Sequence, residues 1–354
     1  MYSELNFILT LISALGISYC TIPLLIEVAQ EKQLFDRPGG RKTHAQPVPA
    51  LGGIALFLGF FVPVLLFASP AGLAEWRYVL VGGLLLCLVG LKDDLVGMGA
   101  RQKLFLQAGV VVLLAGAGFR LEGFYGVFGW GAIPEWAQVP LTTLFLLLLI
   151  NAYNLIDGID GLAGSLALTS SLIFALLFYL RGDFDWCLMA LALSGAILSF
   201  LRFNFYRATI FMGDNGSMVL GLLLGLFAIR FLNTASVPGE ALPVVAIVFS
   251  LLAIPVLDLV RVSGYRLLRG RSPFSADRGH LHHLLLQQGF STPIICLLLV
   301  VVELSLFGLA LQLPLGPPVL HLSLQTLAFL LLVGSIYGIR QSFLTRQNDS
   351  VLSK

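Results

Sequence analysis

Leu141-Thr-Thr-Leu-Phe-Leu-Leu-Leu-Leu-Ile150 runs without a charge straight into Asn151-Ala-Tyr-Asn154-Leu-Ile-Asp157-Gly158-Ile-Asp160-Gly161-Leu-Ala-Gly164. The apolar part, about 139–156 in all, has the length of a bilayer span and none of the apolar/polar alternation of a barrel strand. Backbone in hydrocarbon must satisfy its own N–H and C=O groups, so the span is a helix. Steps of three residues place Asn151, Asn154 and Asp157 on one drifting face, so their oxygens are expected to converge where the helix leaves the membrane. Gly158 and Gly161 then let the backbone turn or approach a ligand closely. A carboxylate at bilayer depth costs about 2.5–3.5 kcal/mol on insertion scales, which asks for a function where two carboxylates and two amides meet. The bland alternative is a helix end with solvated acids.

The whole chain has the same character. Of 354 residues 58% are hydrophobic, and only 21 Lys+Arg and 19 Asp+Glu are present, with a mean hydropathy of +0.93. A soluble domain is about 45–50% apolar and about 25% charged, so a soluble globular protein is excluded. The expected fold is all-α, a polytopic transmembrane bundle of about eleven spans near 6–28, 50–69, 77–92, 103–119, 139–156, 162–180, 186–203, 213–232, 242–263, 292–313 and 319–340, the third of them short. Residues 1–340 form one membrane domain and 341–354 a cytoplasmic tail. Arg77, Arg120, Arg181 and Arg230 fall in one set of loops, and the other 17 of the 21 basic residues in the opposite set and the tail. The positive-inside rule makes the richer side cytoplasmic, with the N-terminus outside and the C-terminus inside. Cys20, Cys87, Cys187 and Cys296 stand singly in apolar stretches and read as buried filler. Loop 120–138, rich in Gly, Trp and Phe, suits the outer interface. A net charge of +2 implies no nucleic-acid partner.

Chemistry-bearing residues crowd the cytoplasmic side. Asp93-Asp94 close the third span and Lys103 opens the fourth; adjacent carboxylates suit a divalent cation or a proton acceptor, or are a solvated turn. Asp214, between Gly213 and Asn215-Gly216 at the start of the eighth span, is either a helix N-cap or an oxygen ligand for a hard ion. Arg278 and His280-Leu-His282-His283 make a cationic, hydrogen-bonding surface fit for a diphosphate, against the reading of a solvated basic loop. The spacing does not suit zinc. Lys42 and His44 lie in a turn-rich basic loop whose charges could serve orientation alone. Asp258 and Glu303 sit inside apolar runs and are expected to be buried against polar neighbours. A proton-coupled transporter using Asp157, Asp160 and Asp258 as a relay is the competing class, and it predicts polar residues near midplane rather than at one face.

The order of these motifs carries a further reading. DRPGGRKTH (36–44), PALGG (49–53), GLKDDLVGMGARQK (90–103), NAYNLIDGIDGLAG (151–164), FMGDNGSMVLG (211–221) and RSPFSADRGHLHHLL (271–285) resemble, in that sequence, the polyprenyl-phosphate N-acetylhexosamine-1-phosphate transferases of glycosyltransferase family 4. The first loop and the HLHH segment are most similar to the undecaprenyl-phosphate N-acetylglucosaminyl-1-phosphate branch, and the HHHFE-like ending of the enzymes that take a muramoyl-pentapeptide donor is absent. The resemblance implies transfer of a sugar 1-phosphate from a UDP-N-acetylhexosamine to undecaprenyl phosphate at the cytoplasmic face of the bacterial inner membrane, releasing UMP and starting a cell-envelope glycan. It implies Mg2+, or Mn2+ in its place, with Asp214 and Asn154 as ligands. Asp93 becomes the proton acceptor with Asp94 beside it, and Asp157 and Asp160 shape the nucleotide or metal site. Lys103, Asn151, Lys42, His44, Arg278, His280, His282 and His283 fall to substrate binding. Partners are the lipid phosphate, the nucleotide sugar and the membrane, a homodimer being allowed and nucleic acid not.

Overall fold

The computed structural model describes residues 4–34, 48–235, 243–272, 279–312 and 316–352. Within them the chain forms twelve α-helices: α1 (Glu4–Lys32), α2 (Gly52–Phe67), α3 (Pro70–Val96), α4 (Ala100–Gly116), α5 (Glu135–Ile156), α6 (Leu162–Leu180), α7 (Phe184–Asn204), α8 (Gly213–Ala235), α9 (Val244–Leu268), α10 (Leu281–Gln287), α11 (Thr292–Gln312) and α12 (Pro318–Leu352). Eight of these are long and apolar enough to cross a membrane, and α2 is apolar but shorter. Every expected span falls on one of these helices, and α10 is a short extra one. No strand occurs among the described residues; loop 117–134 holds one antiparallel bridge, Gly123 to Ala132, and a single 3-10 turn at Val127–Gly129. Trp130 stands exposed there, and Trp136 in the first turn of α5 beside it, as an interfacial stretch requires.

Two expectations change. The third span, read as short, is a helix of 27 residues. Ser69 caps it, its Oγ accepting from the Gly72 amide at 2.9 Å, and Pro70 takes the first helical position, where a missing N–H costs nothing. Glu75 and Arg77 break the apolar run without breaking the helix, because Glu75 has partners: the Trp186 indole donates to it at 3.3 Å and Arg230 at 3.5 Å. Helix α12 runs on through residues 341–352, within the stretch expected as the tail. Of the four cysteines, all free, Cys20 is exposed rather than buried.

Helix α8 is the axis of the bundle. Of its apolar window 94% is buried, against 22% for α1 and 28% for α12, whose exposed Leu and Ile side chains face outward, as lipid contact demands. Lipid tails are as apolar as leucine, so membrane helices gain most from close backbone approach through small residues. A Cβ on Gly90 of α3 would come within 2.3 Å of the Asn215 amide nitrogen, and one on Gly221 of α8 within 2.6 Å of the Ile150 Cα of α5. These two contacts set the site. Asp93 and Asp94 follow Gly90 by one turn, and Asn151 follows Ile150 directly, so both arrive beside the first turns of α8.

The opposite end of the bundle is closed by aromatic rings and an ionic clamp. Phe174, Phe178, Trp186, Phe227 and Phe231 pack mostly edge to face at centroid distances of 6.0–6.3 Å. Arg230 covers the Trp186 ring and donates through Nε to Asp183 at 2.7 Å. Gly90→Ala should therefore lower stability by about 1–3 kcal/mol, the usual cost of overpacking, whereas Gly109→Ala on α4, where nothing lies within 4 Å, should not. Thermal unfolding of both variants in the same detergent checks this; equal midpoints would refute the close contact.

Candidate active site

The first turn of a helix leaves amides without intrahelical partners. In α8 they are satisfied from another helix. Asp94 of α3 accepts from the Asp214 amide at 2.9 Å through Oδ1, and from the Asn215 amide at 3.1 Å and Asn215 Nδ2 at 2.6 Å through Oδ2. Asn215 Nδ2 also donates to the Ala50 carbonyl at 2.8 Å, drawing in the lead to α2. Gly213, at a φ of +71°, makes the turn that admits this carboxylate. Asp214 therefore does not cap its own helix, and its carboxylate is free to face the centre of the site.

Four side chains from four helices meet there. Lys103 of α4 forms a short ion pair with Asp214, an ion pair of 2.9 Å with Asp93 Oδ2 and a hydrogen bond of 3.3 Å with Asn154 Oδ1. Asn154 Nδ2 donates to Asp214 Oδ1 at 2.6 Å and to Ser217 Oγ at 3.0 Å. Oxygens of Asp93, Asp214 and Asn154 thus converge on one ammonium, which stands where a cation is wanted. Such an oxygen-only set suits a hard ion. Among the described residues no group of three or more His, Cys, Asp or Glu is arranged to hold a metal, so any ion here would take few protein ligands.

Asp157 and Asp160 lie in the loop between α5 and α6. Asp160 Oδ2 accepts from the Ala208 amide at 3.2 Å, and Asn204 Oδ1 takes the Gly161 amide at 2.7 Å, so the loop is tied to α7 and the segment after it. Asp157 keeps some contact with solvent, yet enclosure by protein and then the charges of Asp214, Asp94 and Asp160 push its carboxyl up to about 8. The neighbourhood is short of positive charge. Against Gly158 of this loop packs the ring of His282: a Cβ there would lie 2.3 Å from its Nε2. Residues 280–283 thereby join the site from its other side. His280 and His282 stack at 5.9 Å and 9°, and His283 meets His282 at 4.3 Å.

Not every expected residue joins the cluster. Asn151 turns away, donating to Gln107 Oε1 of α4 at 3.1 Å and to the Leu147 carbonyl at 2.8 Å. It braces the helix that carries Lys103 rather than facing Asp214. Lys42, His44 and Arg278 lie outside the described residues. Asp258 is buried and paired, with Arg261 and His280, at the same end of the bundle. Glu303 is buried against Ser170 Oγ at 2.6 Å. Asp157, Asp160 and Asp258 form no midplane relay. Sequence reasoning missed Ser217 and Gln107, though each sits one turn beyond a residue it found, at three from Asp214 and four from Lys103.

The geometry can be set beside known proteins. Residues 76–232 match the family described as Glycosyl transferase family 4. Over 315 residues the chain is 32% identical to an undecaprenyl-phosphate alpha-N-acetylglucosaminyl 1-phosphate transferase of Yersinia pestis, covering 86% of this chain and 84% of the relative. A decaprenyl-phosphate N-acetylglucosaminephosphotransferase of Mycobacterium leprae is 32% identical over 84% of this chain and 82% of its own. An Escherichia coli K12 protein with the same name as the Yersinia one is 30% identical over 75% and 72%. The chain belongs to glycosyl transferase family 4. The family match spans Asp93, Asp94, Lys103, Asn154, Asp157, Asp160 and Asp214 and stops short of the histidine segment, which the fold alone brings to the site.

That docking titrates. Burial first, and His283 second, push the His282 ring down to about 3, and neither ring nitrogen has a partner among the described residues. A free His titrates near 6.5, so the undocked segment takes a proton that the docked one refuses, and docking weakens as pH falls from about 6.5 toward 3. Hydrogen-exchange protection of residues 279–289, corrected for intrinsic rates, should drop about tenfold between pH 7.5 and 5.5 in the wild type and stay level in His282→Phe. Equal protection at both values in the wild type would refute the buried neutral ring.

Proposed function

We propose that this family member transfers N-acetylglucosamine 1-phosphate from UDP-N-acetylglucosamine to undecaprenyl phosphate and releases UMP, working in the bacterial inner membrane with its site toward the cytoplasm. The observation that carries the reading is the meeting of Asp93, Asp214, Asn154 and Lys103 at the basic end of a membrane bundle. One substrate is a lipid whose phosphate lies at the membrane surface and the other a soluble polyanion, so a site at that interface can join them. The positive-inside charge distribution supports the cytoplasmic assignment, and the names of the relatives support the donor and the polyprenyl acceptor.

An oxygen of the lipid phosphate attacks the β-phosphorus of the donor. A new P–O–P link forms as the bond from that phosphorus to the bridging oxygen breaks, and UMP leaves with the oxygen. A phosphate monoester has its second pKa near 6 and is mostly dianionic at pH 7, so Asp93 need only accept the proton of the remaining fraction. Lys103, held between Asp93 and Asp214, is placed to bind the diphosphate. One ammonium among Asp93, Asp94, Asp157 and Asp214 leaves the pocket in need of another positive charge. Asp214 and Asn154 would hold Mg2+, or Mn2+ in its place, which when bound neutralises phosphate oxygens and polarises the phosphorus under attack. Asp157, Asp160 and the histidine segment line the side where the nucleotide sugar enters.

The test is transfer of radiolabel by the purified protein in nanodiscs containing undecaprenyl phosphate. UDP-N-acetylglucosamine, UDP-N-acetylgalactosamine and UDP-MurNAc-pentapeptide are supplied in parallel. Label should enter lipid from the first donor with one UMP released per label, stop in EDTA and return with Mg2+. Asp214→Ala and Lys103→Met should each lose about 10²-fold or more in kcat. Folded protein that labels lipid from no donor would overturn the proposal; label from another donor alone would overturn the choice of sugar.

A further inference from the structure

Asp258 belongs to none of the motifs that meet at the carboxylate cluster, yet three donors converge on it in the interior of the bundle. It lies on α9 with 1% of its surface exposed. Its Oδ2 faces His280 Nδ1 at 2.9 Å, and its Oδ1 accepts from the Leu281 amide at 3.1 Å and from Arg261 at 2.6 Å. The same Arg261 nitrogen donates to the Gly279 carbonyl at 2.6 Å. A carboxylate can only accept, so His280 Nδ1 carries the proton. Its Nε2 is turned to Arg266, 3.5 Å away and itself buried. Both nitrogens of His280 are therefore committed to side chains of α9, and His280 is not the ring presented to a ligand.

The ring transmits instead. It stacks at 9° on His282, and His282 rests on Gly158, next to Asp157. We propose that Asp258 is the positioning residue of the histidine segment: acting through His280, it seats His282 on the Gly158 loop and so fixes the donor side of the site. Its bond to the Leu281 amide also satisfies the first amide of α10, which starts at that residue. One carboxylate thus fixes both the rotation of the His280 ring and the position of the short helix that carries His282 and His283. Where a histidine ligates a metal, removing the group that holds it from behind typically costs 10–100-fold in affinity or activity, and a change of that order is expected here.

The proposal rests on the transfer reaction above, and its test separates the two. Wild type, Asp258→Asn, His280→Phe and the double variant are assayed for transfer in nanodiscs, with UDP-N-acetylglucosamine and undecaprenyl phosphate varied separately. Asn keeps one acceptor but turns an amide N–H toward other donors, so Asp258→Asn should raise KM for the nucleotide sugar about tenfold or more and leave KM for the lipid within about twofold. Asp258→Glu, which keeps the carboxylate, should recover part of the loss. If Asp258 acts through His280, the double variant is no worse than His280→Phe alone. Hydrogen exchange over residues 279–289 should show lost protection in Asp258→Asn while α8 stays protected, which also covers a variant too weak to assay. An inactive wild type would overturn the reaction and leave the exchange result to judge the positioning. An active wild type with equal losses for both substrates, additive losses in the double variant, or unchanged exchange would overturn the role of Asp258.

Discussion

Two amides at the start of α8 and the carboxylate that caps them hold the site in place. Asp94 reaches across from α3 to accept from the backbone of Asp214 and Asn215. Because the cap comes from a different helix, satisfying the amides also sets where α3 ends relative to where α8 begins. The contact of Gly90 with the Asn215 backbone makes the reach short enough. Once the two are locked, Asp93, the neighbour of the cap, faces Asp214. One Asp of the pair works on backbone while the other faces the pocket, which resolves how adjacent carboxylates coexist without both crowding a single cation.

The rest of the bundle serves the same alignment by different means at its two ends. Membrane helices have little hydrophobic reason to prefer one partner over another, so polar links and close backbone contacts decide. At the far end Asp183, Glu75 and Arg230 join α3 and α8 to the turn before α7, over the Trp186 ring. In the interior the Gly221 contact sets α8 against α5, and Asn151 ties α5 to α4 through Gln107. Helices α3, α8, α5 and α4 are thereby linked in series, and those are the four that supply Asp93, Asp214, Asn154 and Lys103.

What could be read in advance follows the same physics. A charge or amide at the end of an apolar run is conspicuous, so Asp93, Lys103, Asn154 and Asp214 were legible, and so was the end of the bundle they share. Rotation was harder to read. A step of three residues turns a helix by about 300°, so two steps carry Asp157 roughly 120° from Asn151; the shared face drifted too far, and Asn151 fell to Gln107. The length of α3 was hidden because Glu75 and Arg77 look like a helix end until Trp186 and Arg230, more than a hundred residues on, are seen beside Glu75. Asp94 looked like a second catalytic acid because two of its three partners are backbone amides, which no side-chain pattern announces. Asp258 was recognisable as buried and paired, but the identity of His280 as its partner depends on the chain returning after 22 residues.

The two sides of the site are held by unlike forces, and the difference suits the reaction. On the carboxylate side, backbones touch through Gly90 and Gly221, and separating them would expose buried amides and carbonyls together with α8 itself. On the histidine side the hold is a carboxylate, a pair of stacked rings and a helix of seven residues. Regions resting on fewer buried contacts open at lower free energy than the core they lean on. An interfacial transferase needs this asymmetry. The carboxylate side must stay fixed so that the two phosphates of the transfer meet, while the side proposed for the nucleotide sugar must let its product leave in every cycle. Asp258 stands where the yielding segment is anchored to the rigid bundle: three donors converge on it, two of them from the segment itself.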